Sequence, residues 1–204
     1  QILKELMLKQ TIDPEVLEGV QWDISGWKND RISPEQALEQ AEDAQQQARA
    51  ILYQAYQKQL HAYNAVDFDD LILLPVMLFR SNPDVLAKWR RKIRYMLVDE
   101  YQDTNVCQYE LVKQLVAERA AFTVVGDDDQ SIYGWRGANV ENILNFEKDF
   151  SGANVIKLEQ NYRSTQTILT AANQVIVNNN HRMPKELWSQ KGEGTKLGWI
   201  EGEN

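Results

Sequence analysis

The chain has 204 residues, a formal net charge of −8 at pH 7 and an apolar share of 43%. That length accommodates one large domain or one and a half small ones, and the apolar share is enough for a folded core. A single cysteine, Cys107, excludes an internal disulfide framework and fits a reducing compartment. No apolar run is long enough to cross a bilayer, so we expect no membrane partner. The negative charge argues against a generic basic nucleic-acid coat but does not exclude a local binding surface.

The N-terminal part of the chain, to about Asn64, is predicted to be helical. The sequence Ser-Pro-Glu-Gln at 33–36 combines an N-cap serine, a proline at the first helical position and a glutamine three residues after the cap. Small and apolar residues then recur at spacings of three to five, which predicts one amphipathic helix of up to about 30 residues. The preceding segment, 11–32, is expected to form a loop or short helices.

From Asp67 onward the chain alternates between predicted helices and strands. Asp67 is expected to cap a helix that runs to about residue 80, and Pro83 to begin a second helix that ends near residue 93. The remaining predicted elements are strands at 95–99, 122–126, 155–158 and 197–200, and helices at 104–118, 140–146 and 164–178. This alternation predicts an α/β fold with a parallel sheet and helical crossovers.

Two of the predicted strands end abruptly in acidic residues. Asp99 and Glu100 stand at the end of the first, and Gly126 with the aspartates 127–129 at the end of the second. In parallel α/β sheets the carboxyl ends of the strands are where ligands bind. An aspartate there can hold Mg²⁺, directly or through water, and a glutamate can polarise an attacking water. Taken alone, the pattern is equally expected of two buried strands with polar caps.

Further polar and aromatic residues near the strand ends extend this chemistry. Gln130 is suited to sense a phosphate or a water molecule, and Arg163 to neutralise charge on a transferred phosphoryl group. An arginine between a strand and a helix is well placed for a phosphate, because helix N-termini attract anions. Tyr133, Trp135 and Tyr162 offer flat faces on which bases can stack.

Together these segments resemble the ATPase core of UvrD/Rep/PcrA-type superfamily-one DNA helicases. The family's Walker B motif is similar to Asp-Glu-Tyr-Gln-Asp-Thr-Asn at 99–105. Its third motif, which couples nucleotide to single-stranded DNA, is similar to Gly-Asp-Asp-Asp-Gln-Ser-Ile-Tyr-Gly-Trp-Arg-Gly-Ala at 126–138. Its fourth motif resembles Gln-Asn-Tyr-Arg-Ser at 160–164, and the segment joining its helical insertion to the core resembles 64–71. The resemblance covers about 33–180.

The resemblance implies an α/β fold with a RecA-like parallel sheet flanked by helices and an N-terminal all-helical subdomain. Residues 1–64 would be part of a helical insertion, and 65–204 part of the RecA-like ATPase core without its P-loop strand. None of the ten glycines precedes a Lys-Ser or Lys-Thr pair, so the phosphate-cradling loop is absent from this sequence. We therefore expect an internal piece of a longer chain, which alone neither binds ATP tightly nor hydrolyses it.

The resemblance also implies roles at a nucleotide site. Asp99 would hold Mg²⁺, and Glu100 would activate the attacking water. Gln130 and Arg163 would contact the γ-phosphate, and Tyr162 would stack on adenine. The implied cofactors are ATP and Mg²⁺. The implied activity is ATP-driven 3′-to-5′ translocation on single-stranded DNA with duplex unwinding.

A second set of implied roles concerns DNA. Phe68, Tyr133 and Trp135 would stack on bases, with Asn64 and Arg136 near the strand. The implied partner is single-stranded or partially duplex DNA, and the implied location is the bacterial cytoplasm in association with the nucleoid. A core without its first strand would expose a sheet edge or an apolar patch, so we also expect self-association of this chain.

Two other functions are compatible with the residues. A non-catalytic single-stranded DNA-binding or partner-docking module would use Phe68, Tyr133 and Trp135 as its stacking platform. This function would agree with the absent phosphate loop if the 204 residues were the whole protein. A metal-dependent nuclease would use Asp99, Glu100 and the aspartates 127–129 to hold two ions about 3.5–4 Å apart. Nuclease chemistry gives no reason for Gln130 or for the Tyr-Arg pair at 162–163.

Overall fold

The computed structural model describes residues 1–9, 13–116, 122–198 and 200–202. Within them lie ten α-helices and two β-strands. The helices are α1 (Ile2–Lys9), α2 (Leu17–Asn29), α3 (Pro34–Glu39), α4 (Ala44–Ala62), α5 (Asp70–Ser81), α6 (Pro83–Lys92), α7 (Val106–Val116), α8 (Glu141–Leu144), α9 (Phe146–Asp149) and α10 (Gln166–Ile176). The strands are β1 (Met96–Val98) and β2 (Phe122–Val124). No helix in the described ranges is long and apolar enough to cross a membrane.

Helices α1 to α4 enclose an apolar core of their own. Its fully buried members include Met7, Val20, Leu52 and Tyr53, and the ring of Trp27 stacks on that of Tyr53 with 5.6 Å between centroids. The predicted helical character of the N-terminal part is therefore confirmed. Part of the segment expected to be a loop or short helices is the 13-residue helix α2; residues 10–12 lie outside the described ranges.

The single long helix predicted after Ser33 is wrong, because the chain breaks between α3 and α4. The capping box at the start of α3 is present: Gln36 N donates to Ser33 Oγ at 3.2 Å, and Ser33 N donates to Gln36 Oε1 at 2.9 Å. A second cap then starts a new helix, since Asp43 Oδ1 accepts from Gln46 N at 2.7 Å. An aspartate at an N-cap satisfies an amide that a continuous helix would bond internally.

Buried Lys28 connects the helical unit to the start of α5. Its Nζ lies 2.6 Å from Asp67 Oδ2 and 2.8 Å from Asp70 Oδ1, and 5.4 Å from the centroid of the Tyr56 ring. The two carboxylates also cap each other's backbone: Asp70 N donates to Asp67 Oδ1 at 2.9 Å, and Asp67 N donates to Asp70 Oδ2 at 3.2 Å. Burial would raise the pKa of Asp67, but the hydrogen bonds from Lys28 and from the Asp70 amide outweigh it and lower that pKa. The predicted capping role of Asp67 is confirmed.

The sheet consists of β1 and β2 in parallel, with Met96 opposite Phe122 and Val98 opposite Val124. Parallel strands joined by α7 confirm the predicted α/β class. The helices predicted at α5, α6, α7 and α10 are present, with ends shifted by a few residues. Residue 118, the predicted end of α7, lies outside the described ranges.

The strand predicted at 155–158 is wrong. This segment has no strand neighbour in the described part of the chain, and its nearest β-pairing is the isolated bridge between Gln160 and Trp188. A strand is defined by ladder hydrogen bonds, and apolar sequence alone does not supply the partner. The last predicted strand is likewise unpaired at residues 197, 198 and 200, and residue 199 lies outside the description. The helix predicted at 140–146 is divided at Asn145 into α8 and α9.

Replacing Lys28 with methionine tests the connection between α2 and α5. Lys28→Met leaves two carboxylates without their cation, and removing one partner of a buried pair costs about 3–5 kcal/mol. We expect the free energy of unfolding, measured by urea denaturation, to fall by about that amount. Lys4→Met, at an exposed position of α1, is the control and should change it by less than about 0.5 kcal/mol. Equal effects of the two substitutions would refute the structural role of Lys28.

Candidate functional site

The carboxyl ends of β1 and β2 lie side by side, so the residues that follow them share one edge of the sheet. Val125 N donates to Val98 O at 2.8 Å, and Tyr101 N donates to Val125 O at 3.0 Å. Gly126 lies at the closest approach, because a Cβ there would come within 2.7 Å of Gln102 Oε1 and 3.2 Å of Tyr101 N. A glycine is needed here for close packing of the two strand ends.

The buried side chain of Gln102 joins the two acidic segments. Its Nε2 donates to Glu100 Oε2 at 2.8 Å, and its Oε1 accepts from Asp127 N at 3.0 Å. Its backbone carbonyl accepts from Ser131 Oγ at 3.3 Å. Gln102 therefore fixes both the Glu100 carboxylate and the loop after β2. The sequence pattern assigned no role to Gln102. Its position two residues after Glu100 is the one local sign of a contact with that carboxylate, and the sequence does not indicate the contact with Asp127, 25 residues further on.

Asp99 and Glu100 present carboxylate oxygens at the exposed edge of the site. Asp99 Oδ1 accepts from Glu100 N at 3.0 Å, and Glu100 adopts a left-handed backbone conformation with a φ of 50°. In the same turn, Asp103 Oδ1 is buried without a hydrogen-bond partner among the described residues. Burial, followed by the charge of Glu100, raises the pKa of Asp103. Oxygen donors of this kind are the ligands that Mg²⁺ prefers, so the residues fit that ion.

The aspartates that follow β2 form ion pairs with two cations from a distant segment. Lys185 Nζ lies 2.9 Å from Asp127, 2.6 Å from Asp128 and 2.9 Å from Asp129. Arg182 binds Asp129 with two hydrogen bonds, from Nε to Oδ1 at 2.8 Å and from Nη2 to Oδ2 at 2.6 Å. The Arg182 guanidinium in particular holds the pKa of Asp129 below its usual range.

This ion network counts against the nuclease alternative. Carboxylate oxygens of the three aspartates lie within 4.8 Å of one another, which is the spacing of a metal-binding cluster. The ammonium of Lys185 contacts all three, however, and occupies the position that a cation would need. Asp99 and Glu100 are hydrogen-bonded elsewhere in the site and do not join this cluster.

Gln130 lies at the exposed side of the same loop and is held by Asp127. Its Nε2 donates to Asp127 Oδ2 at 2.6 Å, and its backbone N donates to Asp127 O at 2.9 Å. Since Gln102 holds the amide of Asp127, a continuous set of hydrogen bonds runs from Glu100 to Gln130. The structure thus brings together two of the predicted catalytic residues.

Tyr162 and Arg163 form a separate exposed pair. Asn161 Oδ1 accepts from the backbone N of Arg163 at 2.9 Å, and Tyr162 OH donates to Gln160 Oε1 at 2.9 Å. The tyrosine is 74% exposed, which makes its ring available for stacking. No hydrogen bond in the described ranges joins this pair to Glu100 or Gln130, so the structure does not assemble all the predicted nucleotide contacts.

The loop after Gln130 presents an exposed aromatic group. Trp135 is 60% exposed, and its ring centroid lies 6.4 Å from that of Tyr133. The Arg136 guanidinium lies 4.6 Å from the Trp135 centroid and 5.6 Å from that of Tyr133. The ring centroid of Trp22 on α2, which the sequence pattern predicted to dock its segment but gave no chemical role, lies 5.0 Å from that of Trp135. The sequence shows only that Trp22 alternates with apolar residues along α2. That pattern does not predict a contact with Trp135, which lies far along the chain.

The other two predicted DNA contacts precede α5. Phe68 is 90% exposed, so it is not a core aromatic residue. Asn64 is exposed in a left-handed conformation with a φ of 50°. No ring contact among the described residues joins Phe68 to Tyr133 or Trp135, and the aromatic side chains therefore form two separate exposed groups.

Two parallel strands with acidic ends and an adjoining aromatic loop fit an α/β fold of the RecA-like class. Residues 1–151 match the UvrD/REP helicase N-terminal domain, and residues 156–204 match the UvrD-like helicase C-terminal domain. The chain belongs to the UvrD/REP helicase family.

Similar curated proteins carry matching descriptions. The chain is 51% identical over 204 residues to the ATP-dependent DNA helicase Rep of Escherichia coli (strain K12), covering 100% of this chain and 30% of that protein. It is 52% identical over 185 residues to the ATP-dependent DNA helicase PcrA of Leuconostoc citreum, covering 91% of this chain and 24% of that protein. The chain thus spans less than a third of the length of these relatives.

Replacing Gln102 with leucine tests the bridge between the acidic segments. Gln102→Leu leaves the Asp127 amide without its acceptor, and an unsatisfied buried donor costs about 1–3 kcal/mol. We expect a loss of unfolding free energy in that range by chemical denaturation. The matched control is Gln57→Leu, because Gln57 Oε1 is buried without a partner among the described residues. That substitution should be close to neutral, and a larger loss there than at Gln102 would contradict the assignment.

Proposed function

We propose that this chain is part of an ATP-dependent DNA helicase, which couples ATP hydrolysis to 3′-to-5′ movement on single-stranded DNA and to duplex unwinding. One observation carries the proposal. Gln102 hydrogen-bonds both to the Glu100 carboxylate and to the loop that continues to the exposed aromatic residues. The group suited to activate water and the group suited to stack on bases therefore belong to one connected unit. The descriptions of the relatives as ATP-dependent DNA helicases support the same reading.

The nucleotide side of the proposal assigns chemistry to four residues. Asp99 would hold Mg²⁺, which when bound neutralises charge on the phosphates. Glu100 accepts a proton from the attacking water, and Gln102 keeps its carboxylate in one orientation. Gln130 contacts the γ-phosphate and reports its presence to the loop. Arg163 contacts the same phosphate, and its exposed side chain is free to move toward it.

Tyr162 would complete the nucleotide site by stacking on adenine. Its exposed ring and the Asn161-stabilised turn that precedes Arg163 support this role. In this proposal ATP binds between Tyr162 and Arg163 on one side and the edge of the sheet on the other. Binding energy would then be available to draw the two parts together.

The DNA side of the proposal uses both exposed aromatic groups. Tyr133 and Trp135 stack on bases, as does Phe68, with Asn64 and Arg136 near the strand. Stacking of this kind contributes about 1–3 kcal/mol per base and tolerates any sequence. The Arg136 guanidinium lies over both aromatic rings of its loop, which supports a role for its charge beside a DNA backbone.

We also propose the subdomain division 1–64 and 65–204, as helical insertion and RecA-like core. The separate apolar core of α1 to α4 supports the first part. The two family matches meet between residues 151 and 156, inside the second part.

Glu100→Gln in the full-length protein tests the proposed reaction. The amide keeps the shape of the side chain but cannot take a proton, so ATP hydrolysis should fall by about 10²-fold or more. Nucleotide binding, measured with a fluorescent ATP analogue, should be retained. The control is Glu147→Gln at an exposed position of α9, which should leave turnover unchanged. ATP hydrolysis at the wild-type rate in Glu100→Gln would contradict the assignment of Glu100 as the general base.

The second candidate function is a non-catalytic single-stranded DNA-binding module. The observation in its favour is the exposure of Phe68 and Trp135, because exposed aromatic rings can stack on bases without a bound nucleotide. Measurements of oligonucleotide binding and ATP hydrolysis on the full-length wild-type protein separate the two functions. A full-length wild-type protein that binds oligonucleotides but hydrolyses no ATP in their presence would favour the module.

The 204-residue chain alone should behave differently from the full-length protein. Its sequence contains no Gly-Lys-Ser/Thr loop, so isothermal titration should show weak or no binding of Mg-ATP. Leu97, Ile156 and Leu158 are exposed, and apolar surface of this kind favours self-association. Light scattering on the same sample should give a mass above that of one chain. Tight Mg²⁺-dependent binding, or a monodisperse monomer, would overturn the respective expectation.

A further inference from the structure

Ion pairs cross from the first family-matched segment to the second. The three aspartates at 127–129 lie in the segment that matches the N-terminal helicase domain. Arg182 and Lys185, which bind them, lie in the segment that matches the C-terminal domain. The network therefore joins the loop after β2 to the segment that matches the second family model.

The cations that form this network are well shielded from solvent. The side chains of Arg182 and Lys185 are 13% and 16% exposed, and that of Asp128 is 4% exposed. The Met183 amide adds a hydrogen bond to Asp128 Oδ2 at 2.7 Å. Partly buried pairs are screened by salt much less than surface pairs, so this contact is stronger than an exposed ion pair.

Lys185 and Gln130 bind the same carboxylate. Asp127 Oδ1 lies 2.9 Å from Lys185 Nζ, while Asp127 Oδ2 accepts from Gln130 Nε2 at 2.6 Å. The Asp127 amide is in turn held by Gln102. A displacement of Lys185 would thus be felt by Gln130 through a single side chain.

Charge balance shows why Lys185 matters for the shape of this loop. Three carboxylates face two cations, so the network carries one net negative charge. Without Lys185 the imbalance becomes two negative charges, and Asp127 and Asp128 lose the cation that lies between them. Their mutual repulsion would move Asp127, and with it Gln130.

We propose that Lys185, assisted by Arg182, is a positioning residue that ties the C-terminal family segment to Gln130 through Asp127. This inference rests on the proposed function, in which Gln130 contacts the γ-phosphate. Lys185 touches neither nucleotide nor DNA in this scheme. The position of Gln130 then depends on the position of the segment that contains Lys185. A movement of that segment would therefore change the rate of ATP hydrolysis.

The test uses the full-length protein with the substitution Lys185→Met, which keeps a side chain of similar length and removes its positive charge. We expect kcat for ATP hydrolysis stimulated by single-stranded DNA to fall by about tenfold or more, because a misplaced catalytic contact can cost up to about 10²-fold. KM for ATP and Kd for an oligo-dT strand should change by less than about twofold. Lys148→Met, at an exposed position of α9, is the matched control and should have no effect.

Two further variants separate positioning from general stability. Lys185→Arg keeps the positive charge and should recover most of the lost kcat. Arg182→Met removes a cation that contacts Asp129 and not Asp127, so it should lower kcat less than Lys185→Met does. An unchanged kcat in Lys185→Met would overturn the proposal. So would equal losses in Lys185→Met and Lys185→Arg, because the charge would then have no role.

Amide hydrogen exchange gives a readout that does not require activity. Lys185→Met should raise the exchange rate of the amides of Gln130 and Ser131 by about tenfold, since the turn that protects them loses its anchor. Unchanged exchange at these amides would overturn the proposal, even if Lys185→Met were too unstable for its ATPase kinetics to be measured. If the wild-type protein hydrolyses no ATP, the proposed function fails, while the exchange result still decides whether Lys185 anchors the loop.

Discussion

The side chain of Gln102 is the constraint on which the arrangement of the site depends. It is a single amide whose donor holds Glu100 and whose acceptor holds the Asp127 backbone. That geometry exists only because β1 and β2 are in parallel register and because Gly126 has no Cβ to separate the strand ends. The acidic residues would otherwise be two unrelated polar loops. With the bridge, they form one hydrogen-bonded edge.

Two lysines connect segments that are distant in the chain, each by binding several aspartates. Lys28 places a buried cation between Asp67 and Asp70, and Lys185 places one among the aspartates 127–129. In both cases one ammonium serves several carboxylates that also cap local backbone amides. Desolvating such groups costs free energy, which is offset only where the geometry is good and the remaining polar atoms are hydrogen-bonded. Here they orient the segment that bears Phe68 and the loop that bears Gln130.

Much of the fold follows from local sequence signals, because caps and alternation depend on neighbouring residues. Ser33 and Asp67 cap the predicted helix starts, and the acidic residues follow the two paired strands. The break before Asp43 was missed because periodicity continues through it. Gln102, Trp22 and Lys185 could not be assigned, since their partners lie far along the chain and are brought near only by tertiary structure. The strand at 155–158 failed for the related reason that pairing needs a neighbour.

The most direct test of the account is a structure of the full-length protein with a non-hydrolysable ATP analogue, Mg²⁺ and an oligo-dT strand. The measured quantities are the distances from Glu100 and Gln130 to the terminal phosphate, and from Trp135 to the nearest base. We expect both side chains within hydrogen-bond reach of the phosphate or its attacking water, with Gln102 still bridging Glu100 and Asp127, and a base stacked on Trp135. A nucleotide bound away from the β1 and β2 strand ends would contradict it.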